Sequence, residues 1–412
     1  MFKLADEINT CEVCGETNLV PMLDLGMHPL CDDLLPIGVK EVCKEYPINI
    51  IFCKVCSTAH QRYRVPKEVL FPPTYHYRSR FTADVLEGMA DLVDSYEKIA
   101  GKVRNQIILD IGCNDGSLLD IFKKKGALTI GVEPTRAGHD ALEKGHVIYD
   151  HYFNENVAKE ILAKNGYPHL ITFTNVFAHI ENLDALLSAV KILIGPETIL
   201  IIENHYLGAI IDRRQFDTFY HEHPRSYSLA SFEHIAKRLE SVVFYAQKTN
   251  RYGGNIRIFI KNKNTHVDYK IVNDEIFKPN ESNLFLGAMG LAEDIVIWKK
   301  NKLKQINDII KSEGSICAKA FPGRAAILIK CLGLTEQHIS AVYEKHGSMK
   351  IGNYVPGTRI PILSDQILFE SSFIDRTILN LAWHIKEEIE NYLFENGFRG
   401  RVINIMESKD FD

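Results

Sequence analysis

The stretch Ile107-Ile-Leu-Asp110-Ile-Gly112-Cys-Asn-Asp-Gly116-Ser-Leu-Leu119 decides the fold. Its apolar opening, Ile107–Ile111, reads as a buried strand. Two glycines follow, which let the backbone turn sharply and approach a ligand closely. Ser117-Leu-Leu119 then starts a helix. This order marks the carboxyl end of a parallel strand in a doubly wound α/β fold, where such folds bind ligands. The spacing is Gly-x-x-x-Gly, whereas dinucleotide folds use Gly-x-Gly-x-x-Gly. It suits a cofactor carrying an amino-acid tail where a dinucleotide places its pyrophosphate, and S-adenosylmethionine is the cofactor expected. Asp110, Gly112, Asn114, Asp115 and Gly116 are the candidate contacts in this turn. Glu133, in Gly131-Val-Glu-Pro134, stands where a carboxylate accepts hydrogen bonds from ribose hydroxyls. Asn175, at the end of a third strand, completes the candidate cofactor set. The alternative is a tight strand–helix turn in some other α/β enzyme.

Outward from this turn, residues from about 80 to 260 alternate helical and strand patterns, as βαβ units do. Strands are predicted at Ile107–Ile111, Thr129–Val132, Leu170–Asn175 and Thr198–Glu203, with a further pair at Val242–Gln247 and Asn255–Lys261. Helices fit Thr82–Ala100, Ser117–Lys124, Arg136–Lys144 and Leu183–Leu193. A long helical pattern, Leu284–Lys311, opens a third region. There glycine and proline punctuate the apolar segments Ala325–Leu332, Ile339–Tyr343 and Ile367–Phe369, before a helix over Ile378–Asn396 closed by Gly397. The boundaries expected are 1–70, 71–265 and 266–412, with Pro66–Pro73 as a linker and a second, smaller α/β domain at the end.

Apolar content of 46% and charged content of 25% are ordinary for a globular protein. A net charge of -5 argues against a partner held mainly through its phosphate backbone, so neither nucleic acid nor membrane is expected as a partner. Met1–Asn9 has no signal-peptide core and no apolar run is long enough to span a bilayer, so a cytoplasmic location is expected. In that reducing compartment the nine cysteines read as thiols or metal ligands. Cys11-x-x-Cys14 and Cys53-x-x-Cys56 form two knuckles separated by 38 residues, and four thiolates make a closed, structural zinc site. Cys31 and Cys43, between the knuckles, are weaker candidates.

Phe219-Tyr-His-Glu-His-Pro224 concentrates groups that hold or move protons. If the segment is extended, Tyr220 and Glu222 face one side while His221 and His223 face the other. A metal site at the two histidines and a plain polar loop are the competing readings. His179 follows the Leu170–Asn175 strand at the edge of the cofactor crevice, where a histidine that merely starts a helix is the alternative. Asn204 and His205, just past the Thr198–Glu203 strand, are candidate substrate contacts together with Arg257.

These pieces together resemble the sugar C-methyltransferases of deoxysugar biosynthesis. The likeness is carried by Cys11-x-x-Cys14, Leu23-Asp-Leu-Gly26, Pro29-Leu30, Cys53-x-x-Cys56, Asp110–Leu119, Gly131–Pro134, Asn175–Ile180, Tyr220–His223, Gly253-Gly254 with Arg257, and Val355–Pro361. It implies an N-terminal zinc domain, a central class I methyltransferase domain and a C-terminal Rossmann-like domain, all α/β in class beyond the zinc unit. It implies a nucleotide-linked 4-keto-6-deoxysugar as substrate, carried on thymidine or guanosine diphosphate, and methylation at carbon 3. Tyr220, Glu222 and His223 match the family's proton-handling residues, with His179 beside them, and Tyr75 or Tyr77 matches its substrate-contacting tyrosine. A monomer is expected. Asn255 stands where the family has serine, and Ala320-Phe-Pro-Gly-Arg-Ala325 replaces a Tyr-Gly-Ala-type turn, which puts ligand binding by the C-terminal domain in doubt.

The expected chemistry removes the carbon-3 proton beside the ketone. His223 is the base, oriented by Glu222, and Tyr220 or His179 hydrogen-bonds the enolate oxygen. A zinc-ribbon RNA methyltransferase and a non-catalytic zinc-dependent binding protein are the rival readings.

Overall fold

Leu19–Pro29 (β1), Glu45–Cys53 (β2) and Thr58–Gln61 (β3) form an antiparallel sheet around the two cysteine knuckles. This computed structural model describes residues 7–71, 78–81, 83–265, 271–272, 274–370 and 372–412. The predicted start of the helix at Thr82, and both Tyr75 and Tyr77, lie outside the described residues.

Beyond the knuckles come Ile107–Ile111 (β4), Leu128–Val132 (β5), Val147–Tyr149 (β6), Leu170–Thr174 (β7) and Ile199–His205 (β8), all parallel. The two-residue strand Arg225–Ser226 (β9) does not join them. It pairs with β3 and extends the N-terminal sheet. Ser241–Thr249 (β10) and Asn255–Asn262 (β11) add an antiparallel hairpin beside β8, and Ile271–Val272 (β12) lies outermost. The resulting order is β12-β10-β11-β8-β7-β4-β5-β6. From β4 the chain winds outward through β5 and β6, then returns to lay β7 and β8 on the other side. The crevice therefore opens at the carboxyl ends of β4 and β7.

The helices Ser117–Lys124 and Leu183–Leu193 fall where their apolar periodicity predicts. The Ala83–Ala100 helix packs Val85, Met89, Leu92 and Val93 with Phe122, Ile108 and Phe259 on one face of the sheet. The Leu183–Leu193 and Leu229–Arg238 helices cover the other.

A 30-residue helix, Leu284–Glu313, leads to a third sheet. Its parallel strands are Ile316–Lys319 (β13), Ile339–Glu344 (β14), Ile362–Ser364 (β15), Ile378–Asn380 (β16) and Val402–Asn404 (β17), in the order β15-β14-β13-β16-β17. One apolar segment is given its state here, and the start of the last helix is corrected. Ala325–Leu332 is a helix buried on nearly every side, and Gly333 closes it in the left-handed conformation. Ile378–Asn380 is a buried strand, and the following helix starts only at Lys386. Short runs that are apolar all round carry no period to distinguish helix from strand.

The cores do not follow chain order. Met22, Leu23, Ile48, Ile50 and Phe52 of the N-terminal sheet share one cluster with Trp298, Leu328, Val355 and Ile360. Among the described residues, no helix is long and apolar enough to cross a membrane.

Candidate active site

The knuckles come first in the chain. Cys11 and Cys56 bring their sulfurs to 3.4 Å, Cys14 and Cys53 to 3.5 Å, and all four Sγ atoms lie within 4.8 Å of one another. A tetrahedral ion with Zn–S bonds of roughly 2.3 Å sets its sulfurs about 3.8 Å apart, so the four thiols fit zinc. Cys31 and Cys43 are elsewhere. Cys31 is buried beside Gly323, and the Cys43 thiol meets the Asp33 carbonyl at 3.2 Å.

At the carboxyl end of β4 the chain turns through Gly112 (φ +73°) and Gly116 (φ +75°). A Cβ on Gly112 would lie 2.6 Å from Cγ2 of Val176. Asn114 (φ +50°) and Asn175 (φ +54°) bend the loops after β4 and β7 in the same left-handed sense, an arrangement uncommon for residues other than glycine. Asp110 is buried and accepts from Thr172 Oγ1 at 2.7 Å; burial, with Glu133 close by, pushes its carboxyl up to about 7. Glu133 accepts from the Asn114 and Thr135 amides at 3.0 and 2.9 Å, and burial raises its pKa as well. Asp115 braces the turn: Oδ1 accepts from Ser117 N and Oγ, and Oδ2 from Arg80 N. Its carboxylate is thus engaged within the protein. Asn114 Oδ1 likewise accepts from Ser79 N at 3.0 Å. Two glycines, a buried acid and a second acid on the neighbouring strand form a cradle that fits S-adenosylmethionine.

Phe216–Thr218 is a short 3-10 turn, and the next turn is closed by His223 N donating to Tyr220 O at 2.9 Å. Tyr220–His223 is therefore not extended, and the expected division into two faces is corrected. The Tyr220 and His223 rings lie 4.2 Å apart, and His179 and His205 stand 4.9 and 5.2 Å from His223. His221 points away and pairs with the Tyr46 carbonyl at 3.1 Å.

Nδ1 of His223 meets the Thr218 carbonyl at 3.0 Å, and Nδ1 of His179 meets the Glu222 carbonyl at 2.7 Å. A carbonyl only accepts, so both Nδ1 atoms carry the proton and both Nε2 atoms are left as bases. Burial holds both rings neutral, and for His223 the neighbouring His179 and His205 add to it. Burial pushes His205 down to about 3, with Arg324 contributing. The expected orientation of His223 by Glu222 is thus corrected: the Thr218 carbonyl orients it. Burial, with Asp32 nearby, pushes the Glu222 carboxyl well above its usual range. Tyr220 keeps its proton through burial and the neighbouring Glu222.

Arg257 is also placed differently from expectation. It is fully buried, with Nε on Glu203 at 2.6 Å and Nη1 on Asp91 and Ser95 at 2.8 and 2.9 Å. Its role here is to knit β8, β11 and the Ala83–Ala100 helix together. Asn255 donates to Asn175 at 3.1 Å and to Glu203 at 3.3 Å, so the asparagine found in place of serine ties β11 to the crevice loop. Asn204 is buried with neither amide atom hydrogen-bonded. As strand neighbours, Asn204 and His205 point to opposite faces.

The family model described as "Putative zinc binding domain" matches residues 11–71. "Methyltransferase domain" matches 76–240, and "C-methyltransferase C-terminal domain" matches 250–402. C-methyltransferase NovU of Streptomyces niveus is 26% identical over 412 residues, 97% of this chain and 96% of that protein. The chain thus joins a methyltransferase domain to a C-methyltransferase C-terminal domain. Among solved structures, magnesium protoporphyrin IX methyltransferase (ChlM) from Synechocystis PCC 6803 with bound SAH is 15% identical, with a TM-score of 0.34, covering 44% of this chain and 84% of that one. The plantazolicin methyltransferase BpumL in complex with SAH gives 16% and 0.35, covering 45% and 87%. As a C-methyltransferase dependent on S-adenosylmethionine, the protein is an enzyme, and the reading as a non-catalytic zinc protein falls.

Sequence reasoning missed what the C-terminal region of this C-methyltransferase brings to the site. Arg324 places Nε 2.9 Å from Asp217, two residues before Phe219, and lies over Trp383. Trp383 donates to the same Asp217 at 2.9 Å. His384 is half-buried beside them, and desolvation, with Arg324 and His205 close, holds it neutral. The signal was available: β13 followed by Ala320-Phe-Pro-Gly-Arg324 and a helix repeats the strand–turn–helix order of residues 107–119.

Proposed function

We propose that this methyltransferase adds a methyl group to carbon 3 of a nucleotide-linked 4-keto-6-deoxysugar. The carrying observation is the pair His179 and His223, each with Nδ1 committed to a backbone carbonyl and each offering Nε2. Methylating carbon, unlike oxygen or nitrogen, first needs a C–H proton removed, and a neutral imidazole next to a ketone does this near neutral pH. His223 Nε2 takes the proton. The Tyr220 hydroxyl, kept protonated and 4.2 Å ring to ring from His223, hydrogen-bonds the oxygen on which charge develops. A neutral His179 with hydrogen on Nδ1 has none on Nε2 to donate, so Tyr220 is the better donor. Bound S-adenosylmethionine supplies the electrophilic methyl group. Asp110 and Glu133 are proposed to hold its polar ends, and His205, 5.2 Å ring to ring from His223, to line the substrate's approach. The zinc ion is structural and takes no part in the chemistry.

The reading as a sugar enzyme rests on the motif order set out above, and a thymidine- or guanosine-diphosphate carrier follows from the same resemblance. The test incubates the protein with a panel of 4-keto nucleotide sugars, with and without labelled cofactor, in deuterated water. Deuterium entering beside the ketone, and its loss in His223→Asn, is expected. Label transfer without prior C–H exchange at any position would sink the enolate mechanism.

A further inference from the structure

Arg225 takes no part in the chemistry just described, yet its guanidinium is fully buried. Nη1 donates to Glu12 Oε2 at 2.6 Å and to the Glu181 carbonyl at 3.2 Å, Nη2 donates to the Ile180 carbonyl, and Nε donates to Tyr227 Oη at 2.8 Å. Ile180 and Glu181 follow His179 directly, and Arg225 itself lies two residues after His223. One side chain thus clamps together the two segments that carry the proposed bases. Its carboxylate partner is the residue after Cys11, inside the first knuckle. The two side chains meet at ion-pair distance, 2.6 Å, with the arginine wholly buried.

The surrounding bonds run the same way. Arg225 pairs with His60 across β9 and β3, and His60 Nε2 lies 3.3 Å from Cys11 Sγ. Gln61 is tied to the same loop twice: its N donates to the Pro224 carbonyl at 2.8 Å, and its Nε2 donates to the Tyr220 carbonyl at 3.2 Å. Ser228 and Ser231 donate to the Cys56 carbonyl at 3.3 and 3.1 Å.

We infer that Arg225 is a positioning residue that fixes His179 against His223, and that Glu12 anchors this clamp to the cysteine knuckle. This rests on the assignment of His179 and His223 under the proposed function. An arginine suits the task because its planar fork reaches two carbonyls and a carboxylate at once, which a lysine ammonium on one stem does not. Misplacing reacting groups by about 1 Å costs roughly 10²-fold in rate, so the clamp acts on turnover more than on binding.

The test uses the full, zinc-loaded chain in three forms: Arg225→Lys, Glu12→Gln, and Glu12→Gln with Arg225→Met, the last avoiding an unpaired buried charge. Zinc content, cofactor affinity, kcat and KM are measured, with ring-nitrogen NMR of His179 and His223. The expected result is one zinc per chain and unchanged cofactor affinity, with kcat down about 10–100-fold, KM little changed, and the Nδ1–H signature of His179 replaced by a tautomer mixture. Arg225→Lys leaves Glu12 facing a cation and no buried charge unpaired, so it carries the test if the double variant does not fold. Wild-type kcat and wild-type histidine signals in Arg225→Lys would overturn the inference, as would a kcat loss that follows zinc loss alone. If the wild type turns over no 4-keto nucleotide sugar, the proposed function fails, while the histidine signals still decide the clamp.

Discussion

On the proposed mechanism the Tyr220 hydroxyl donates to the developing enolate oxygen, because His179 spends its hydrogen on the Glu222 carbonyl. Tyr220→Phe keeps the ring packing at 4.2 Å and removes only the donor. Steady-state kinetics should show kcat reduced by about 10²–10³, as for loss of one oxyanion donor, with cofactor affinity unchanged. A drop confined to KM would exclude Tyr220 from that role. His205 gives a second check. Its folded pKa is about 3, below the unfolded value of roughly 6.5. Between those values the unfolded chain binds the extra proton, so this histidine makes stability fall as pH drops from about 6.5 toward 3. His205→Gln removes that contribution, and urea midpoints of wild type and variant should diverge on acidification, with the variant the less pH-sensitive. At this scale the residue types at the site were legible from sequence, but their partners were not. Tyr220 and His223 announce proton chemistry by type alone. That the Thr218 carbonyl holds His223, and not the adjacent Glu222, depends on a turn whose closing bond leaves no mark in composition.

Gly112 shows what a single element demands. Its φ of +73°, and the 2.6 Å that would separate a Cβ at this position from Val176 Cγ2, leave no room for alanine. Gly112→Ala should cost about 1–2 kcal/mol in backbone strain, with a further packing penalty against the loop after β7. Isothermal titration should show cofactor affinity falling more than overall stability, since the strain sits in the cradle. Equal affinity in the variant would mean that this turn does not contact the cofactor. Strand β4 and the Ser117–Lys124 helix were legible because an apolar run, two glycines and an amphipathic period meet there. Ala325–Leu332 and Ile378–Asn380 were not, because both are buried on all sides and lose the polar face that carries the period. Strand β9 is shorter than any window in which alternation can be read, yet it joins the segment after Tyr220–His223 to the N-terminal sheet.

Across the whole molecule, the order of the chain and the order of the cores diverge. The segment between the two knuckles is held by the C-terminal region: Tyr354 N donates to the Leu35 carbonyl at 2.8 Å, and Arg359 donates to the Val39, Lys40 and Glu41 carbonyls. Phe52 on β2 is fully buried and lies 6.0 Å, ring to ring, from Phe285 on the Leu284–Glu313 helix. The first and last sheets therefore gain stability from one shared core, although about 260 residues of other structure separate Cys53 from Ile316. Their shared burial makes them one cooperative unit. Phe52→Ala should remove about 3–5 kcal/mol from that unit. Hydrogen exchange should then quicken in β13 and β14 as well as in β1 and β2, while β4, β5 and β7 of the central sheet, whose core is built from other residues, stay protected. Faster exchange confined to β1–β3 would show that the N-terminal sheet is stabilised on its own. The Arg324–Asp217 ion pair at 2.9 Å lies on this same seam, beside Phe216 and Phe219 of the shared core. A disturbance begun at Phe52 is therefore expected to reach the turn that carries Tyr220 and His223, lowering turnover before the cofactor cradle loosens.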